Sequence, residues 1–203
     1  MALFNHKRMT GQTTQTKDRL QLGAGIFVRD FNPKTDTYES LRNNPDKLLG
    51  ATTGGGTFTG SKVGHWLQID GTPENTKGNW ILDYWKANLQ TTMQEITPEI
   101  LQMGMAAASI TTGTNDLEGY KIITPKDSLG DEDYIDSLSF IGRLSGSSLP
   151  IVLTIFNAFN TGDLSMNPQD QKETTIALTL DANYDPDDLD KQPYVIYYPT
   201  KAE

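Results

Sequence analysis

The chain has 203 residues, enough for one domain with a sizeable core, yet only 36% are hydrophobic and the mean hydropathy is -0.49. Seventeen basic against 26 acidic residues leave a formal charge of -9, the wrong sign for gripping a nucleic-acid backbone, which needs clustered Lys and Arg. No cysteine is present, which excludes disulfides, thiolate metal sites and thiol nucleophiles. Residues 1–8 carry no apolar stretch of the kind a secretory leader needs. The longest apolar run, 149–156, is interrupted by Pro150 and Thr154 and falls far short of the roughly 20 residues of a membrane helix. A soluble protein made in a cytoplasm, with no membrane partner, is the expectation.

Residues 1–22 are polar, rich in Thr and Gln, and read as an arm ahead of a β-domain at 23–203. A first strand is predicted over 24–31, closed by Asn32-Pro33. A long loop is predicted over about 34–79: it opens with turn formers that include Asn43-Asn44-Pro45-Asp46. Within it, Gly54-Gly55-Gly56 precedes a short strand-like Thr57-Phe58-Thr59, and turn residues recur from Asp70 to Gly78. Residues 80–95 give the clearest strand, with Trp85, Ala87, Leu89 and Met93 on one parity and Lys86, Asn88, Gln90 and Thr92 on the other. Such alternation describes a sheet with one buried and one polar face. One helix is predicted at 97–109: Thr97 caps it, Pro98 suits the first position and Glu99 complements the dipole. Ile96 and Leu101 are spaced as a hydrophobic staple, and Leu101, Met105 and Ala108 are expected to pack on the sheet. Strands follow at 137–144, 150–157, 174–182 and 194–198. In 174–182, Ile176, Leu178, Leu180 and Ala182 oppose Thr175, Thr179 and Asp181. The order of strands, one capped helix and more strands points to a mainly-β sandwich or barrel with a flanking helix.

Nothing in this pattern spells out catalysis or a cofactor. His6 and His65 stand apart, without metal-ligand spacing or a serine motif. The triple glycine lacks the Gly-Lys-Ser/Thr ending of a phosphate loop and runs into a strand, so a bulge or loop beside a strand is the plain reading. Two acidic clusters, one at Asp127, Asp131, Glu132, Asp133 and Asp136 and one at Asp185, Asp187, Asp188 and Asp190, do not match the calcium-loop spacing and read as solvated turns. Trp66, Trp80, Tyr84 and Trp85 have few basic residues near them, which favours packing or subunit contact over base stacking.

Several motifs, in order, resemble the major tail (tail tube) proteins of long-tailed phages and prophages of Gram-positive bacteria. They are Gly23-Ala24-Gly25-Ile26-Phe27-Val28 running into Asp30-Phe31-Asn32-Pro33, and the stretch 49–58 around the triple glycine. Ile69-Asp70-Gly71 with Lys77-Gly78 follows, then 85–93 leading into Glu95-Ile96-Thr97-Pro98-Glu99-Ile100. Asn157-Ala158 before Thr161-Gly162-Asp163-Leu164, and 182–190 before Tyr197-Tyr198-Pro199, complete the set. Residues 62–67 depart from the pattern, being less charged than expected. The resemblance implies a tail-tube-type sandwich whose copies close homo-hexameric rings, stacked into a virion tube assembled in the host cytoplasm. It also implies contacts with tape measure, tail tip and terminator proteins, and genomic DNA passing through the lumen without tight binding. On that footing Asn88, Gln90, Thr92, Thr175, Thr179 and Asp181 are expected to face the lumen, and Phe4, Phe58, Trp66, Ile69 and Trp80 to lie at subunit interfaces. The competing expectation is a carbohydrate- or receptor-binding β-sandwich of a tail tip or surface adhesin, supported by the aromatic group at 80–85.

Overall fold

The computed structural model of the protein describes residues 10–200. Over that span the chain is mainly β, with a curled sheet and few helices. The strands are β1 (Gln21–Arg29), β2 (Thr52–Trp66), β3 (Trp80–Met93), β4 (Ala108–Thr112), β5 (Lys121–Pro125), β6 (Ile135–Leu144), β7 (Ile151–Asn160), β8 (Ile176–Asp181) and β9 (Tyr194–Tyr197). The helices are α1 (Tyr38–Arg42) and α2 (Pro98–Met105). Seven strands form one sheet in the order β1-β6-β7-β8-β3-β2, with β9 added on β7; β4 and β5 make a separate hairpin.

The curl comes from β7, which serves both halves of the sheet. Residues 151–158 pair with β6, and 152–155 also take β9 on the other side, while Phe159 and Asn160 pair with β8. Between these stretches Asn157 has φ +46°, a left-handed value that bends the strand. Asn183 holds the corner by donating its side-chain amide to the Asn157 carbonyl at 2.8 Å. The two halves then face each other across one core, made of Phe27, Leu138, Phe140 and Ile155 from one side and Leu89, Met93, Ile176, Leu178 and Leu180 from the other. All of these are buried, and truncating such a side chain to Ala costs about 2–5 kcal/mol.

The flanking helix is shorter than the spacing predicts. Thr97 caps it as expected, its hydroxyl oxygen accepting the Ile100 amide at 3.2 Å. It stops at Met105 because Ala106 takes φ +61°, and Ala108 already belongs to β4. Ile100 and Gly104, one turn apart, make its buried face. Leu101 and Met103 pack on the core from the sides. A methyl group at Gly104 would come within 2.8 Å of the Leu164 side chain, which would have to shift to make room, so the helix packs closely on its neighbours there.

Two boundaries also move. β1 opens at Gln21, and residues 17–20 of the expected arm are tied down before that. Ser145 donates its hydroxyl to the Lys17 carbonyl, and its amide donates to the Leu20 carbonyl at 2.9 Å. Much of the expected 34–79 loop is not loop at all: α1 occupies part of it and β2 fills 52–66, paired along its length with β3. The triple glycine is the bulge in that pairing. Gly54 and Gly55 have φ of +73° and +75°, and a Cβ at Gly56 would strike the Phe27 ring.

Candidate functional site

Two surfaces stand out, both built by the β2–β3 hairpin. On the first, the alternation in β3 becomes burial: Ala87, Leu89, Thr91 and Met93 are buried, while Asn88 and Thr92 are half-buried and Gln90 is exposed on the reverse side. Antiparallel register carries that polar side across three strands. Thr59, Asn88 and Asp181 form one row; Thr57, Gln90 and Thr179 a second; Thr53, Thr92 and Ala177 a third. The Asn88 amide donates to the Asp181 carboxylate within the first row. Thr175 precedes β8 on the same parity and is half-buried. None of the six residues expected on a lumen face lies in the core. The β2 threonines enlarge the face and went unforeseen; the alternation of Thr57, Thr59 and Ser61 was their signal in the sequence. Chemically the face is a field of hydroxyls and amides with one carboxylate, able to hold water but lacking clustered cations.

The second surface is the far end of the same hairpin. β8 meets β3 only over Asn88–Met93. Ala87 and Trp85 are still tied to the chain after β8, through the Ala182 amide at 3.0 Å and the Tyr184 hydroxyl at 2.9 Å, and from residue 84 outward β3 pairs with β2 alone. Register runs on through Val63 with Tyr84, Gly64 with Leu82, His65 with Ile81 and Trp66 with Trp80; Asp83 is the extra residue of a bulge. The ribbon is locally braced. Lys62 places its ammonium 5.1 Å from the centre of the Trp80 ring, and His65 Nδ1 lies 3.0 Å from an Asp83 carboxylate oxygen. It nevertheless leaves Ile81, Leu82 and Tyr84 exposed, together with Leu67 and Ile69 in the connecting loop. Ile81 and Leu82, neighbours on a strand, point to opposite sides, so the ribbon is apolar on both faces.

Three of the residues expected at interfaces, Trp66, Ile69 and Trp80, sit on this projection. Phe58 does not: it packs against the core and stands edge-on to Tyr194, with ring centres 5.4 Å apart. Phe4 lies outside the described residues, as does His6.

The acidic clusters resolve into turns. Lys126 pairs with Glu132 at 2.8 Å and with the buried Asp133, which also accepts the Gly130 amide at 2.8 Å. Lys126 hydrogen-bonding lowers the Glu132 carboxyl below its ordinary range, and the same contacts, Asp133 first, raise the Lys126 ammonium. Asp185 closes its own turn, its carboxylate accepting the Asp187 amide at 3.0 Å. Among the described residues no group of three or more His, Asp or Glu is arranged to hold a metal ion, and no helix is long and apolar enough to cross a membrane. No protein-family model matches this chain, and no curated protein matches it.

Proposed function

We propose that this chain is a self-assembling structural subunit whose copies join into stacked rings, a tube of the phage-tail kind, with genomic DNA passing along the polar sheet face. The observation that carries the reading is the β2–β3 ribbon. A two-stranded hairpin is marginal in water on its own, and this one projects past the sheet with large apolar side chains on both faces. A partner that covers it removes that cost.

Two further features support assembly. β2 pairs only with β3 among the described strands, which leaves its other edge open along 15 residues. An open edge of that length is a template for another strand, and closure into a ring would use it up. The face of β2, β3 and β8 is polar where a sheet of a solitary sandwich needs only to be wetted, and with a net charge of -9 per subunit a ring would repel a DNA backbone. Six copies per ring, the virion location, and tape measure, tail tip and terminator proteins as partners follow from the family resemblance. The role is structural rather than catalytic.

Electron microscopy of the purified protein, in negative stain across a range of concentrations, tests this directly. Rings or tubes of uniform diameter are expected. A monomer at every concentration, stabilised by a glycan or receptor fragment, would replace this reading with that of a binding module.

A further inference from the structure

We propose that the β2–β3 ribbon of one molecule seats in an apolar groove on the outer face of β1 and β6 in a second copy. This rests on the self-assembly reading and names the surface that receives the projection. The groove holds about 890 Å³ and is walled by Leu22 and Ile26 of β1, Ile141 of β6, Leu41 of α1, and the Leu149-Pro150 turn. It lies on the reverse of the core: Phe27 and Phe140 point inward, whereas their neighbours Ile26 and Ile141, also paired in register, point out into it.

The chain leaves this space open by construction. β1 bulges between Leu22 and Ile26, and Gly25 at φ +69° borders the groove with its backbone because a side chain there would strike the Phe140 ring. α1 has only five residues and buries only Leu41. Leu22 and Leu149 are consequently 46% and 56% exposed, although they border a cavity.

A second copy of this chain has the matching part. Residues 60–86, the ribbon with its loop, supply about the 20–30 residues that one side of a specific interface uses. Five large apolar side chains among them, Leu67, Ile69, Ile81, Leu82 and Tyr84, are between 39% and 50% exposed, shared between the two faces of the ribbon and its loop. Charge agrees with the match. Arg143 lines the groove without an ion-pair partner among the described residues, and the ribbon brings the half-exposed Asp83 carboxylate, whose own-chain partner is the His65 ring. Donor and receptor are different surfaces of the molecule, so the contact is head-to-tail and repeats from copy to copy, as rings and stacks require.

The absence of native cysteine makes the test clean. Full-length Leu82→Cys and Leu149→Cys variants are mixed under mild oxidation and run on a non-reducing gel. A disulfide-linked dimer is expected, in at least tenfold higher yield than from Leu82→Cys mixed with Tyr120→Cys, which puts the second thiol on the exposed β4–β5 turn. Rings or tubes in the microscope with no such excess would overturn the groove as receptor and leave assembly standing. Neither particles nor excess cross-link would overturn both. In a second arm, Leu149→Asp alters an exposed rim position, so its thermal midpoint should stay within a few degrees of the parent while assembly weakens at least tenfold. Unaltered assembly of that variant would also sink the proposal.

Discussion

Asp36 ties the segment between β1 and α1 to the turn before β2. Its carboxylate accepts the Asn32 amide at 2.9 Å and the Lys47 ammonium at 2.9 Å, and its side chain is only 11% exposed. The Asn32 amide foremost, then Lys47, hold its carboxyl below the ordinary range. A depressed folded value stabilises the protein above the unfolded carboxyl value of about 4, and that stabilisation disappears as pH falls through the folded value. Asp36→Asn is therefore expected to lose about 1.5–2 kcal/mol at pH 7, the lower end of the range for a hydrogen bond to a charged group, because the Asn side chain can still accept the Asn32 amide. The gap between parent and variant should narrow as pH falls below the unfolded value of about 4, and urea unfolding at pH 7, 5, 4 and 2.5 measures it. A gap that persists undiminished at pH 2.5 would show that packing, not charge, is what the substitution removed. Asn160 is a neutral counterpart: buried at the end of β7, it donates to the Gly104 and Gly162 carbonyls and accepts the Thr179 amide, joining α2, the following turn and β8.

Among the elements, the ribbon separates folding from assembly. Ile81 and Leu82 lie beyond the sheet and outside the core, so the double change Ile81→Ser, Leu82→Ser should shift unfolding by no more than about 0.5 kcal/mol. Assembly followed by light scattering should need at least tenfold more protein. Equal assembly by the variant would mean that the ribbon is a free-standing arm. How much of this was legible in the sequence depends on where each element gets its specification. β3 and β8 wrote their two faces in strict alternation, so Leu89 and Gln90 could be assigned to opposite sides from neighbouring residues alone. β2 was harder to read. Thr57, Thr59 and Ser61 alternate, but Gly54, Gly55, Gly56, Gly60 and Gly64 weaken the strand signal around them, and pairing with β3 supplies the order. The helix start was local, a Thr cap and a proline; its end was not, because Ala106 turns left-handed where the chain enters the β4–β5 hairpin. The candidate site divides likewise. Trp66, Ile69 and Trp80 were visible as aromatic and apolar residues among turn formers, whereas the groove at Leu22, Ile141 and Leu149 brings together three distant segments and no spacing rule joins them.

At the scale of the whole molecule, charge and apolar surface pull assembly in opposite directions. Every subunit brings a formal charge of -9, so close packing of copies sets like charges against one another. The proposed contact is chiefly apolar, with Arg143 and Asp83 as minor members, and apolar burial does not weaken as simple salt rises to physiological strength. Screening acts on the repulsion: the Debye length shrinks from about 30 Å at 0.01 M to about 8 Å at 0.15 M. Raising salt over that interval should therefore favour assembly, lowering the concentration at which rings first sediment by several-fold. Between 0.15 M and 0.5 M the gain should level off, because little long-range repulsion is left to screen. Copies joined mainly by ion pairs would give the opposite slope, dissociating as salt rises. Sedimentation velocity at 10, 150 and 500 mM NaCl distinguishes the two, and a critical concentration that climbs with salt would remove the apolar ribbon from the centre of the assembly reading.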